Sequence, residues 1–182
     1  MIWTIPGTVL SAKRDDAKYI EQQFTSMFFG GGIVLSQVAG ITGLEPYTIQ
    51  NWVKREFLPP PDRKRYNMNQ LCRVVIINAL KGALPMEKII SLIRYVNGEL
   101  DDEQDDLIDD AKLYFLFVRL ASRAKEGLSP EEWEIYLDQE LQEYAEPIPG
   151  AKKRVKKAIW IMLTAWSAAK LQKQAEDMLA EL

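Results

Sequence analysis

The sequence has no histidine and, in 182 residues, one cysteine, Cys72. Without histidine the chain lacks the side chain that most often ligates zinc and most often acts as a general base near neutral pH. A lone cysteine excludes an internal disulfide, and with no histidine to pair with it, a histidine-activated thiol nucleophile is excluded too. No apolar run approaches the ~20 residues that span a bilayer. The first residues lack the basic start and apolar stretch of a signal peptide, so a cytoplasmic protein is expected. What is present is ordinary globular composition, 47% hydrophobic and 27% charged, which excludes wholesale disorder. The length suits one domain or two small ones.

The net charge of −3 hides four unequal blocks. Residues 1–45 carry 3 Lys/Arg and 4 Asp/Glu, and residues 46–98 carry 9 and 3. Residues 99–146 carry 4 and 16, and residues 147–182 carry 7 and 3. The balances are therefore −1, +6, −12 and +4. A basic block followed by an acidic one fits a chain that faces a polyanion with one part and keeps another clear of it.

Residues 1–29 are the least legible, with a helix expected over 11–28 that ends at Gly30-Gly31-Gly32. That triple glycine lacks the following Lys-Ser/Thr of a phosphate-cradling loop. Ser36 is placed to cap a short helix that Gly43 breaks, and Glu45-Pro46 opens a second, running to about Glu56. Leu58-Pro59-Pro60-Pro61-Asp62 cannot be helical. Asn67 caps a third helix to about Gly82, and Pro85 starts a fourth that Asn97-Gly98 ends. Glu99 to Asp106, six acidic residues in eight, reads as a domain boundary. Three more helices are expected near 106–126, 130–145 and 151–181, with Ser129 and Pro130 starting the second.

Several clusters read as structural. The acidic run Asp101 to Asp110 lacks the glycine turn of a calcium loop and suits a solvated helix start. The basic run Lys152 to Lys157 suits a solvated first turn, with contact to nucleic acid or anionic lipid as the alternative. Cys72 and the aromatics Tyr114, Phe115, Phe117, Trp133, Tyr136, Trp160 and Trp166 are expected in the core. No cofactor or metal set is spaced for a site, and an enzyme has little support.

The stretch Leu35 to Trp52 stands apart. A helix-turn-helix needs a small residue where its helices cross, a glycine in the turn four residues on, and apolar residues at set offsets. Ala39, Gly43, Val38, Leu44, Ile49 and Trp52 fill those places. At 100° per residue, a core-facing Ile49 leaves Tyr47, Asn51 and Lys54 along the opposite face, flanked by Thr48, Gln50 and Arg55. An amide for adenine, a phenol, and cations for phosphates are the chemistry of a major-groove reader.

On these residues, continued through Leu58-Pro59-Pro60-Pro61, Lys64-Arg65-Tyr66-Asn67-Met68-Asn69-Gln70-Leu71 and Ala83-Leu84-Pro85-Met86-Glu87-Lys88-Ile89, the chain resembles the MerR-type winged helix-turn-helix regulators over residues 33–96. More closely, it is similar to an uncharacterised bacterial family described only by a MerR-like DNA-binding region. The resemblance implies an all-α fold: a winged helix-turn-helix over 30–98 with a reduced wing, followed by a C-terminal helical bundle over 104–182. It implies that Gln50 and Trp52 stand where the regulators use an arginine and a tyrosine against the backbone, and that Arg63, Lys64 and Arg65 occupy the wing. The expected function is sequence-specific binding of double-stranded DNA by a homodimeric transcriptional regulator, with a small molecule or a protein as effector. Leu113 to Val118 and the stripe Ile159, Met162, Trp166 are the expected dimer surfaces. The alternative is a protein-interaction adaptor that uses the apolar C-terminal helices.

Overall fold

The computed structural model describes residues 2–100, 105–123 and 130–182. Its centre is α4, Met68–Leu80, in which ten of thirteen residues are buried, Val74 to Ile77 among them. Asn67 caps it as expected: Asn67 Oδ1 accepts the Gln70 N–H at 2.8 Å, and Gln70 Oε1 accepts the Asn67 N–H at 2.8 Å. A helix apolar on all sides must be covered on all sides. The cover comes from α2, Leu35–Thr42; α5, Met86–Asn97; α6, Asp110–Arg123; and α8, Ala151–Ala180.

The remaining elements are short. Strands β1, Ile2–Thr4, and β2, Ser11–Lys13, form an antiparallel ribbon with Trp3 opposite Ala12. A 3₁₀ turn, Arg14–Asp16, leads into α1, Ala17–Ser26. Strands β3, Ile33–Val34, and β4, Arg65–Tyr66, form a second ribbon. Between them lie α2 and α3, Pro46–Lys54; α7, Pro130–Glu140, precedes α8. The fold is therefore mainly helical, as expected, with two small ribbons beside the helices.

The helix expected over 11–28 is also corrected, to a strand, a turn and the ten residues of α1. The cause is tertiary. Gly7, at φ 74°, lies so close to α4 that a Cβ there would stand 2.0 Å from the Val75 carbonyl oxygen. The buried Tyr114 hydroxyl donates to the Pro6 carbonyl at 2.9 Å, and the Asn78 amide to that of Gly7 at 2.9 Å. The N-terminal segment is thus built into the core, with Trp3, Ile5, Ile20 and Phe24 buried.

The acidic stretch expected to divide the chain separates parts that share one hydrophobic cluster. Arg73 on α4 donates to Asp110 on α6 at 2.7 Å, with both side chains under a tenth exposed, and Asn97 at the end of α5 donates to the same carboxylate at 3.1 Å. Asn69 of α4 accepts the Ala111 N–H at 3.1 Å, so α4 helps to cap α6. Asp101, Asp102, Glu103 and Ser129 lie outside the described residues.

Leu113 to Val118 are at most 3% exposed, and Ile159, Met162 and Trp166 at most 8%. Both expected dimer surfaces are therefore interior, a correction that follows from α6 and α8 packing on each other and on α4. Trp166 meets Trp3 and Phe117 edge-on at 6.2 and 6.1 Å. Cys72 is fully buried, and that burial, with Asp110 nearby, pushes its thiol well up and away from the reactive thiolate. Among the described residues no helix is long and apolar enough to cross a membrane.

Removing one partner of a buried ion pair leaves an uncompensated charge, whereas replacing both with apolar groups need not. Arg73→Met is expected to lower unfolding free energy by about 3–5 kcal/mol in urea titrations. Adding Asp110→Leu should recover most of that loss. Costs that simply add would contradict the buried pair.

Candidate nucleic-acid interface

The region displayed to solvent is built outward from α4. Helix α2 begins at β3, where Gln37 Oε1 accepts the Val34 N–H at 3.0 Å; Ser36, expected as its cap, sits inside the helix. The longer side chain reaches back across one turn, which a serine already inside the helix cannot do. At the far end Thr42 Oγ1 donates to the Val38 carbonyl at 2.8 Å and accepts the Leu44 N–H at 3.3 Å. Gly43 is left-handed, φ 69°, and a Cβ there would meet the Val9 side chain at 2.6 Å, so conformation and space both demand glycine. Asn78 donates to the Thr42 carbonyl at 3.0 Å and fastens this turn to α4.

Pro46 at the first helical position opens α3, and Ile49 and Trp52 are buried. Tyr47 is 74% exposed, and Gln50, Lys54 and Arg55 are exposed as well. Thr48 and Asn51 are half-buried. The outer face is thus centred on Tyr47, Gln50 and Lys54, rotated slightly from the helical-wheel expectation, which put Asn51 in the middle and Gln50 on the flank. Arg55 stacks 4.6 Å from the Phe57 ring and stands 3.9 Å from the Glu87 carboxylate, a solvent-exposed pair of small energetic weight.

The helix ends in a Schellman arrangement, with the Phe57 N–H donating to the Trp52 carbonyl at 2.9 Å and the Glu56 N–H to that of Val53 at 3.0 Å. The left-handed place that glycine usually fills belongs to Glu56, φ 57°. The proline run then descends from buried Leu58, held by the Gln70 amide, which donates to the Pro59 and Pro60 carbonyls at 3.2 and 2.8 Å. It closes in a two-residue turn. The Arg65 N–H donates to the Asp62 carbonyl at 2.7 Å across Arg63 and Lys64, at φ 45° and 66°. Arg63, Lys64 and Arg65 are all exposed on this turn. Arg65 also donates to the Gly32 carbonyl at 2.9 Å.

Two grooves meet at Pro60. One, of about 740 Å³, is lined by Gly31, Gly32, Arg63, Arg65 and Met68 among others. The other is bordered by Lys54, Glu56, Leu58, Arg94 and Glu99. The α3 cation and the turn cations therefore stand on either side of one proline. Arg94 was not singled out in the sequence. Its signal was available, because Glu87, Ser91 and Arg94 recur opposite Ile89 and Ile93 on the amphipathic α5. Among the described residues no three metal-ligating side chains converge.

The described residues other than glycine with positive φ are Glu56, Arg63 and Lys64, all beside this surface. A left-handed residue with a Cβ costs on the order of 1–2 kcal/mol. Asn-Gly is the pair such a two-residue turn prefers. Replacing Arg63-Lys64 with Asn-Gly should therefore raise stability by about 1 kcal/mol or more in denaturant titrations. A loss of stability would contradict the turn geometry.

A family model described as Domain of unknown function (DUF1836) matches residues 17–117, from α1 through most of α6. The chain is 28% identical over 86 residues to "Uncharacterized protein YkrK" of Bacillus subtilis (strain 168), a match covering 45% of this chain and 37% of that protein. The aligned region thus spans little more than a third of that relative. No solved structure matches the chain. The family match covers the exposed face of α3, the 62–65 turn and the buried Arg73–Asp110 pair, and the chain belongs to the DUF1836 family.

Proposed function

We propose that this protein is a MerR-like, sequence-specific DNA-binding transcriptional regulator that works as a homodimer. The observation that carries the reading is the strained turn at Arg63 and Lys64, which presents three consecutive cations across Pro60 from Lys54. Strain held at a surface turn with no packing role is a mark of function. In this reading α3 enters the major groove with Tyr47, Asn51 and Lys54 at base edges, and Thr48 beside them. Gln50, Arg55, Arg63, Lys64 and Arg65 hold phosphates. Gln50 is more exposed than Asn51 and can reach a base edge as well.

A single recognition helix reads few base pairs, which favours two copies on half-sites one helical turn apart. The apolar segments of α6 and α8 that an adaptor would use lie in this chain's own core. The α8 tail leaves Leu171, Met178 and Leu179 exposed to a second copy.

Binding to a duplex carrying selected half-sites, followed by sedimentation over a salt series, tests the reading. Arg55, Arg63, Lys64 and Arg65, with Lys54 beside them, predict a slope of log K against log salt on the order of −5 per bound chain, with two chains per duplex. Replacing Arg63, Lys64 and Arg65 by alanine should flatten the slope by roughly two to three per bound chain. Asn51→Ala should relax preference at one base position and leave the slope nearly intact. No salt dependence, or one chain on an undivided site, would refute it.

A further inference from the structure

The two basic blocks of the sequence are separated by an acidic stretch, yet the fold brings them to opposite sides of α5. Arg94 borders the groove that holds Lys54, and also the one that holds Arg55. The next residue, Tyr95, receives α8: the Arg154 guanidinium donates to the Tyr95 carbonyl and lies 4.7 Å from its ring. Adjacent positions of α5 thus carry the cations of α3 on one side and those of α8 on the other.

Farther out on α8, Lys153 and Lys157 lie one turn apart, exposed and without an ion pair among the described residues. Lys156 differs, because it is held by Glu134 at 2.6 Å and Asp138 at 2.8 Å on α7. Glu56 and Glu99 stand in the Lys54 groove and offset part of its charge, whereas Arg154, which meets Tyr95 next to Arg94, is flanked on α8 by Lys153 and Lys157. The first turn of α8 holds Lys152, Lys153 and Arg154, and the Glu146 carboxylate accepts the Lys152 N–H at 3.2 Å and answers the helix dipole from the preceding loop.

We infer that Arg94, Arg154, Lys153 and Lys157 form a second phosphate-binding surface, on which the DNA duplex lies beyond the segment met by α3 and the 62–65 turn. The inference rests on the DNA-binding reading. Duplex backbone is the occupant because Arg94 borders both α3 grooves and the surface is opposite to DNA in charge. A membrane-surface helix would set large apolar side chains beside its cations. On α8 the first exposed large apolar side chain is Leu171, far from Lys153.

Lys153→Ala/Lys157→Ala in the full chain tests it, on one duplex covering the α3 site alone and one extended by about a helical turn, ~10 base pairs, on each side. On the extended duplex the salt slope should fall by about two per bound chain and affinity at low salt roughly tenfold or more, since each lost contact removes about 0.9 from the slope. The short duplex should bind parent and variant alike. The variant should melt no lower than the parent, because both lysines are exposed and Lys153 opposes the dipole. An unchanged slope on the extended duplex overturns this surface while leaving the α3 reading intact. A parent that binds no duplex overturns both. Lost binding to phosphatidylserine vesicles with DNA binding unchanged assigns the surface to membranes and overturns the inference.

Discussion

A guanidinium placed on the most buried helix of a protein has to find a carboxylate, and here that requirement ties together the two sides of the acidic stretch. Arg73 sits on α4 among valines and isoleucines, where an unpaired charge could not be kept. Asp110 answers from the first turn of α6, where a carboxylate is also favoured by the helix dipole. Asn97 donates to the same carboxylate and fixes the end of α5. One buried cluster of three side chains thus sets the positions of α4, α5 and α6, and the acidic segment between α5 and α6 connects parts that cannot separate without breaking it.

The displayed surface inherits its rigidity from that centre. Asn78 holds the Gly43 turn to α4, and Gln70 holds the proline run to the same helix. α3 and the 62–65 turn are thereby anchored to one rigid helix, each by a side-chain amide that bonds to backbone carbonyls. Strain is held at Glu56 by the bonds that end α3, and at Arg63 and Lys64 by the Arg65–Asp62 bond that closes their turn. Such conformations persist only when the surroundings over-determine them.

Much of this was legible because the signals were local. Asn67 with Gln70, Pro46, Pro85 and Gly98 mark helix ends through bonds or dihedrals made within a few residues. Long-range packing hid the rest. Nothing within residues 1–13 says that Gly7 will press against Val75, so a ribbon looked like the start of a helix. The buried stretches Leu113 to Val118 and Ile159 to Trp166 could equally have faced a second subunit, and only their packing on α4 decides that they do not. Tyr95 and Arg154 are 59 residues apart in sequence and meet only where α8 packs on α5.

The central claim is that the face of α3 and the turn cations contact duplex DNA as one rigid surface. Backbone amide chemical shifts recorded while a duplex is added measure this most directly. The account predicts that the largest changes fall on residues 46–56 and 62–66, with α4 and α6 nearly still. Changes confined to other elements, or none at saturating duplex, would contradict it.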